Sequence, residues 1–127
     1  MEPKFRALDR LTGKMFPVGI IDYSIQSVYI EEPNGLYGER DFDEVELMQS
    51  TGLFDKNGKE IYEDDIVRIT LTDGFRYVVG EDGAVKYKLG AFYILNGLDE
   101  YLISDFYIDD IEVVGNIYEN PELLKGK

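Results

Sequence analysis

The sequence predicts an all-β protein, an antiparallel, barrel-like single domain spanning 1–127 with one or two short helical turns. Three observations predict it. Runs such as Lys4-Phe5-Arg6-Ala7-Leu8 and Ile66-Val67-Arg68-Ile69-Thr70-Leu71-Thr72 alternate polar and apolar side chains. Period two places alternate side chains on opposite faces, the pattern of a half-buried strand. Turn residues then punctuate the chain at short, regular intervals, at Pro33-Asn34-Gly35, Asn57-Gly58 and Asp73-Gly74. Finally, Ile20 to Ile30 is rich in β-branched and aromatic residues, which suit a pleated surface.

Taken in order, Lys4 to Leu8 is a strand, Asp9 to Gly13 a turn, and Lys14-Met15-Phe16 a return strand broken at Pro17 and Gly19. Ser27 to Glu31 pairs with Leu36 to Phe42 across the turn at Glu32 to Gly35. Asp41 to Gln49 reads as a short helix or 3₁₀ turn, because Asp43 can cap it and Glu44 and Glu46 suit a first turn. Thr51 to Tyr62 is a hairpin with Asp55-Lys56-Asn57-Gly58 at its tip. Glu63-Asp64-Asp65 then turns the chain into the Ile66 strand. A polar turn feeding such a strand resembles the start of small SH3-like barrels, at the level of fold analogy.

Asp73-Gly74 makes the next hairpin turn. Phe75 to Val79, Ala84 to Lys88 and Ala91 to Leu95 follow as strands, interrupted at Gly80 to Gly83 and at Gly90. Gly97 to Asp110 fits either period. Ile111 to Tyr118 is a closing strand with Gly115 as a candidate bulge. Asn120 and Pro121 open a one-turn helix at Pro121 to Leu124. The best candidate for a subdivision lies near Gln49-Ser50.

The composition excludes several chemistries. There is no cysteine, hence no disulfide, thiolate metal site or cysteine nucleophile. There is no histidine, which removes the usual general base and most zinc sites. With 44% hydrophobic residues, ten Tyr and seven Phe, the chain is too apolar to be disordered. The net charge of −13 repels phosphate backbones, so no direct nucleic-acid binding is expected. No apolar stretch approaches the roughly 18 residues of a membrane helix, and no apolar signal core follows Met1. A soluble cytoplasmic protein without membrane contact is the expectation.

Two acidic clusters stand out: Glu60, Glu63, Asp64 and Asp65, and then Asp105, Asp109, Asp110 and Glu112. A facing pair could hydrolyse a glycoside or hold a hard cation. With 26 acids in the chain such clusters are expected as solvated faces. Asp55-Lys56-Asn57-Gly58 lacks the calcium-loop spacing and its glutamate, and Gly52 to Lys59 lacks that of a phosphate loop. No catalytic, cofactor-binding or metal residue is assigned, and no cofactor is expected. The tyrosines suit a contact surface, burying their rings while the hydroxyls stay wet.

Leu47 to Val67 resembles the YopX family, small proteins of bacteriophages and prophages, mostly of Firmicutes. Its members show Leu-Met-Gln-x-Thr-Gly-Leu-x-Asp-x-Asn-Gly-Lys-Glu-Ile-Tyr-Glu-Gly-Asp-Ile-Val. The likeness extends to Lys4-Phe5-Arg6-Ala7 with Lys14-Met15, and to Val114 to Leu123. It implies a mostly β protein of phage origin and carries over no activity and no catalytic residue. Two positions depart from the family pattern. Asp64 replaces the usual glycine, which suggests that the backbone there need not have positive φ, and Leu8 stands where Trp is common.

The functional expectation is a non-enzymatic binding or assembly protein acting by self-association or on a host protein, through a tyrosine-rich surface rimmed by acids. Two alternatives are an acidic DNA mimic that occupies a host DNA-binding enzyme, and a carboxylate-dependent hydrolase.

Overall fold

Alternation becomes paired strands through most of the chain. The computed structural model describes residues 4–72 and 77–124. Its strands, in chain order, are β1 (Phe5–Asp9), β2 (Lys14–Asp22), β3 (Ser27–Glu31), β4 (Tyr37–Asp41), β5 (Val45–Phe54), β6 (Glu60–Tyr62), β7 (Asp65–Thr72), β8 (Tyr77–Lys88), β9 (Ala91–Asn96), β10 (Asp99–Leu102) and β11 (Ile111–Asn116). Four 3₁₀ turns, at Phe42–Glu44, Ile103–Asp105, Ile108–Asp110 and Pro121–Leu124, supply the helical content among the described residues.

The all-β, antiparallel expectation is met. The strands form two open sheets and do not close into a barrel. One sheet has the order β4-β3-β2-β1-β5-β6, the other β10-β9-β8-β7-β11. The chain divides into two compact units, Met1–Ser50 and Thr51–Lys127, and the boundary falls within β5. Each unit has its own core. Ala7, Phe16, Val28, Ile30 and Val45 form the first, with Phe42 and Leu47 packed on it. Ile61, Val67, Ile69, Val85, Ile94, Ile103 and Ile111 form the second.

Several local readings change. Val45 to Gln49 is strand, because Asp9 to Phe5 pair with it residue for residue. Ladder pairing there overrides local helix chemistry. Only Phe42–Glu44 keeps the helical turn, tied by the Asp41 N–H to the Glu44 carboxylate at 2.9 Å. Strand β2 runs through Pro17 and Gly19, with a register shift between Val18 and Ile20. A bulge beside the proline tolerates its missing donor. Strand β8 likewise runs through Gly80 to Gly83. Ile69 pairs with Glu81 and Thr70 with Val79, which leaves Gly80 as a bulge and not a turn. The ambiguous stretch from Gly97 resolves into β10 and two 3₁₀ turns. The bulge expected near Gly115 is present, between Val113 and Gly115. The Asp73-Gly74 turn lies outside the described residues.

Candidate interaction surface

The first acidic cluster is built into the turn that starts β7. Asp65 is buried, and its carboxylate accepts the Tyr62 N–H at 2.8 Å. Asp64 has φ 68°, so this position does take the left-handed backbone that the replacement of glycine suggested it need not have. Its backbone is fixed on both sides: its N–H donates to the Val85 carbonyl (2.8 Å) and its carbonyl accepts the Ile117 N–H (2.9 Å). Aspartate is one of the few non-glycine residues that tolerates this backbone. Its carboxylate accepts from Lys86 Nζ at 2.6 Å and from the Tyr118 hydroxyl at 3.2 Å. Asp64 and Asp65 thus serve different partners.

The second cluster is interleaved with cations. Glu112 lies 3.8 Å from Lys56 Nζ and pairs in register with Arg68. Arg68 grips Asp82 through two bonds, at 2.8 and 3.2 Å, and this pairing keeps its guanidinium charged beyond the ordinary range. Asp109 and Asp110 share with these residues a shallow cavity of about 210 Å³. Among the described residues, no group of three or more acidic side chains is arranged to hold a metal ion.

The tip at Asp55 to Gly58 forms as expected, for a reason not visible in the sequence. Asp55 is buried, and its carboxylate accepts three backbone N–H groups: Asn57 (2.9 Å), Lys59 (2.8 Å) and Val113 (2.9 Å). The Lys56 N–H adds a bond to the Ile111 carbonyl at 3.0 Å. The turn therefore caps the free edge of β11, where unpaired backbone groups would otherwise face outward. Gly58, at φ 79°, supplies the left-handed step that lets Asp55 and Lys59 meet. Burial pushes the Asp55 carboxyl up, but the three donors outweigh it and hold it below the usual carboxylate range.

Asp9 follows the same logic in the first unit. Burial raises its carboxyl, and bonds from Arg40, Thr12 and the Leu11 N–H bring it below the ordinary value. The Arg40 guanidinium also reaches the Glu39 carbonyl at 2.9 Å. It thereby shields one acceptor on strand β4, at the end of the sheet.

Exposed apolar side chains occur along the whole chain, and one group of them lies around the β2–β3 hairpin of the first unit. Ile20, Tyr23 and Ile25 are more than half exposed, as is Tyr37 on β4. Ile20 pairs with Tyr29 across the ladder. Tyr37 lies over Gly19, where an added Cβ would come within 2.5 Å of its ring. Tyr23 stacks edge-on with Phe42, with centroids 5.7 Å apart. A groove of about 350 Å³ opens beside them, lined by Phe5, Val18, Ile21 and Tyr23, with Lys4 at its margin. Asp22, Glu39, Asp41 and Asp43 lie on the flanking strands and turns. The sequence pointed to tyrosines in general. The signal for this location is Ile20 and Ile25 beside a turn, isoleucines that no core claims.

Two antiparallel sheets, with acids spent on turns and a polar–aromatic surface on the first unit, define a small all-β protein of the turn-rich kind. The family model described as YopX protein matches residues 4–125, and the chain belongs to the YopX family. It is similar in structure to protein EF1440 from Enterococcus faecalis, known from a crystal structure. The TM-score is 0.66 at 31% identity, over 98% of this chain and 99% of that one. No curated protein matches the chain.

Proposed function

We propose that this protein is a non-enzymatic binding protein that works by self-association. The observation that carries the reading is the exposed apolar surface of the β2–β3 hairpin, with Ile20 57%, Tyr23 72% and Ile25 54% exposed on a chain of net charge −13. A monomer this acidic has polar residues to spare for those positions, and clustered exposed apolar residues mark contact surfaces. The carboxylates support the same reading. Asp9, Asp64 and Asp82 are paired with Arg40, Lys86 and Arg68, and Asp55 and Asp65 hold backbone donors. Acids engaged in this way are withdrawn both from a hydrolytic pair and from a phosphate-like array on the surface.

A host protein is the other partner class that this surface fits, in the setting we propose of a phage or prophage product in the host cytoplasm. Hydrogen exchange at low and high protein concentration tests the reading. Amides of Asp22 to Ser27 are expected to gain protection as concentration rises. Exchange there that is independent of concentration would remove self-association and leave the host partner.

A further inference from the structure

The β8–β9 hairpin closes on two residues, Leu89 and Gly90, with Lys88 paired to Ala91 across them. Both have positive φ, 51° and 83°. A two-residue loop of this kind is a type I′ turn, whose first position favours Asn, Asp or Gly because they accept left-handed backbone. Leucine is among the poorest choices there. Its side chain is 96% exposed, so burial within the chain does not offset the strain.

The other non-glycine residues with positive φ among those described are anchored differently. Gln26 is polar, and its carbonyl takes the Phe42 N–H at 2.9 Å; Asp64 holds Lys86 and Tyr118. Strained backbone persists where something offsets it. For Leu89 the fold requires the turn, but nothing within the fold requires the leucine.

We propose that Leu89 is an intermolecular anchor, seated in the Phe5, Val18, Ile21 and Tyr23 groove of a second copy of this chain. The inference rests on the self-association reading above and names the element that fills its surface. Charge selects the groove. Among the described residues, three other open cavities, of about 370, 420 and 210 Å³, carry carboxylates in excess: Asp41 and Asp43; Glu31 and Glu32 with Lys14; and Asp109, Asp110 and Glu112 with Lys56 and Arg68. The Phe5 groove has apolar walls, and its charged lining residue is Lys4.

Charge also suits the tip. Lys88 beside Leu89 is ion-paired with Glu100, so the approaching hairpin is locally neutral. The tip therefore brings no net charge to a groove whose charged lining residue is Lys4, although acids flank that groove and two copies of a −13 chain repel overall. Knob and groove belong to different units of the chain. A contact reciprocated within one pair closes a two-fold dimer, and an unreciprocated one builds rings or open chains.

Light scattering over a concentration series, with thermal melting of each sample, tests this on the full chain. Leu89→Asn supplies the residue that the turn prefers, so its melting temperature is expected to equal or exceed that of the wild type. Its association is expected to weaken about tenfold to a hundredfold, the scale of one buried leucine. Tyr23→Asp, at an exposed position, places a carboxylate in the groove and is expected to weaken association similarly. An equimolar mixture of the two variants keeps one intact knob and one intact groove, and is expected to form a dimer that grows no further.

Association of Leu89→Asn at wild-type strength would overturn the anchor and leave self-association standing. A lowered melting temperature in Leu89→Asn would assign the leucine to the fold. A mixture that stays monomeric would overturn the groove. A wild type that is monomeric throughout would overturn both the anchor and the reading beneath it.

Discussion

Asp64 shows how a residue other than glycine can hold a left-handed backbone. Its φ of 68° is imposed by bonds to Val85 and Ile117, and its side chain offsets part of the strain through Lys86 and Tyr118. Asp64→Ala keeps the strain and loses the partners, so a loss of about 1–2 kcal/mol is expected in urea unfolding. Asp64→Gly relieves the strain and loses the same partners, and should stay within about 0.5 kcal/mol of the wild type. Asp55 is the more demanding position. Asp55→Asn would turn an amide N–H toward the Val113 N–H, and should cost about 2–3 kcal/mol in the same measurement. Both residues are visible in the sequence as turn acids. Their partners are not, because Val113 and Tyr118 lie more than fifty positions away.

At the scale of elements, the legible strands were those whose alternation is local. The Ser27 strand, the Ile66 strand and the Asp55 to Gly58 tip follow from pattern and turn chemistry. The misread segments were those settled by a distant partner. Val45 to Gln49 carries helix-cap chemistry, but its ladder to β1 decides it. Gly80 looked like a break because a bulge and a turn share the same residue; only the register against β7 separates them. The β11 end illustrates a close approach. A Cβ on Gly115 would collide with Asn120, whose side-chain oxygen accepts the Asn116 N–H at 3.2 Å. Gly115→Ala is expected to open this turn and cost about 1–3 kcal/mol, read by thermal unfolding. The surface around Ile20, Tyr23 and Ile25 was only half legible. Tyrosine count suggests a contact surface, while its place depends on which apolar residues the two cores leave outside.

For the whole molecule, charge and pH act in opposite directions. The Asp9 and Asp55 carboxyls sit below their ordinary values, so each stabilises the fold above the unfolded value near pH 4. That contribution is lost as pH falls through the lower, folded values. Denaturation monitored from pH 7 downward should therefore show a plateau and then a decline below about pH 4. Self-repulsion fades over a neighbouring range, because the net charge approaches zero toward pH 4.3. Association should tighten between neutrality and that value, before the fold weakens. Added salt at pH 7 should have the same sign of effect, since it screens the repulsion between copies.

The most direct test of the central claim is native mass in solution, by light scattering behind a sizing column at several loading concentrations. Self-association through the hairpin surface predicts a mass above the 14.6 kDa of one chain that rises with concentration or reaches a fixed multiple. A mass of 14.6 kDa at every concentration would contradict it.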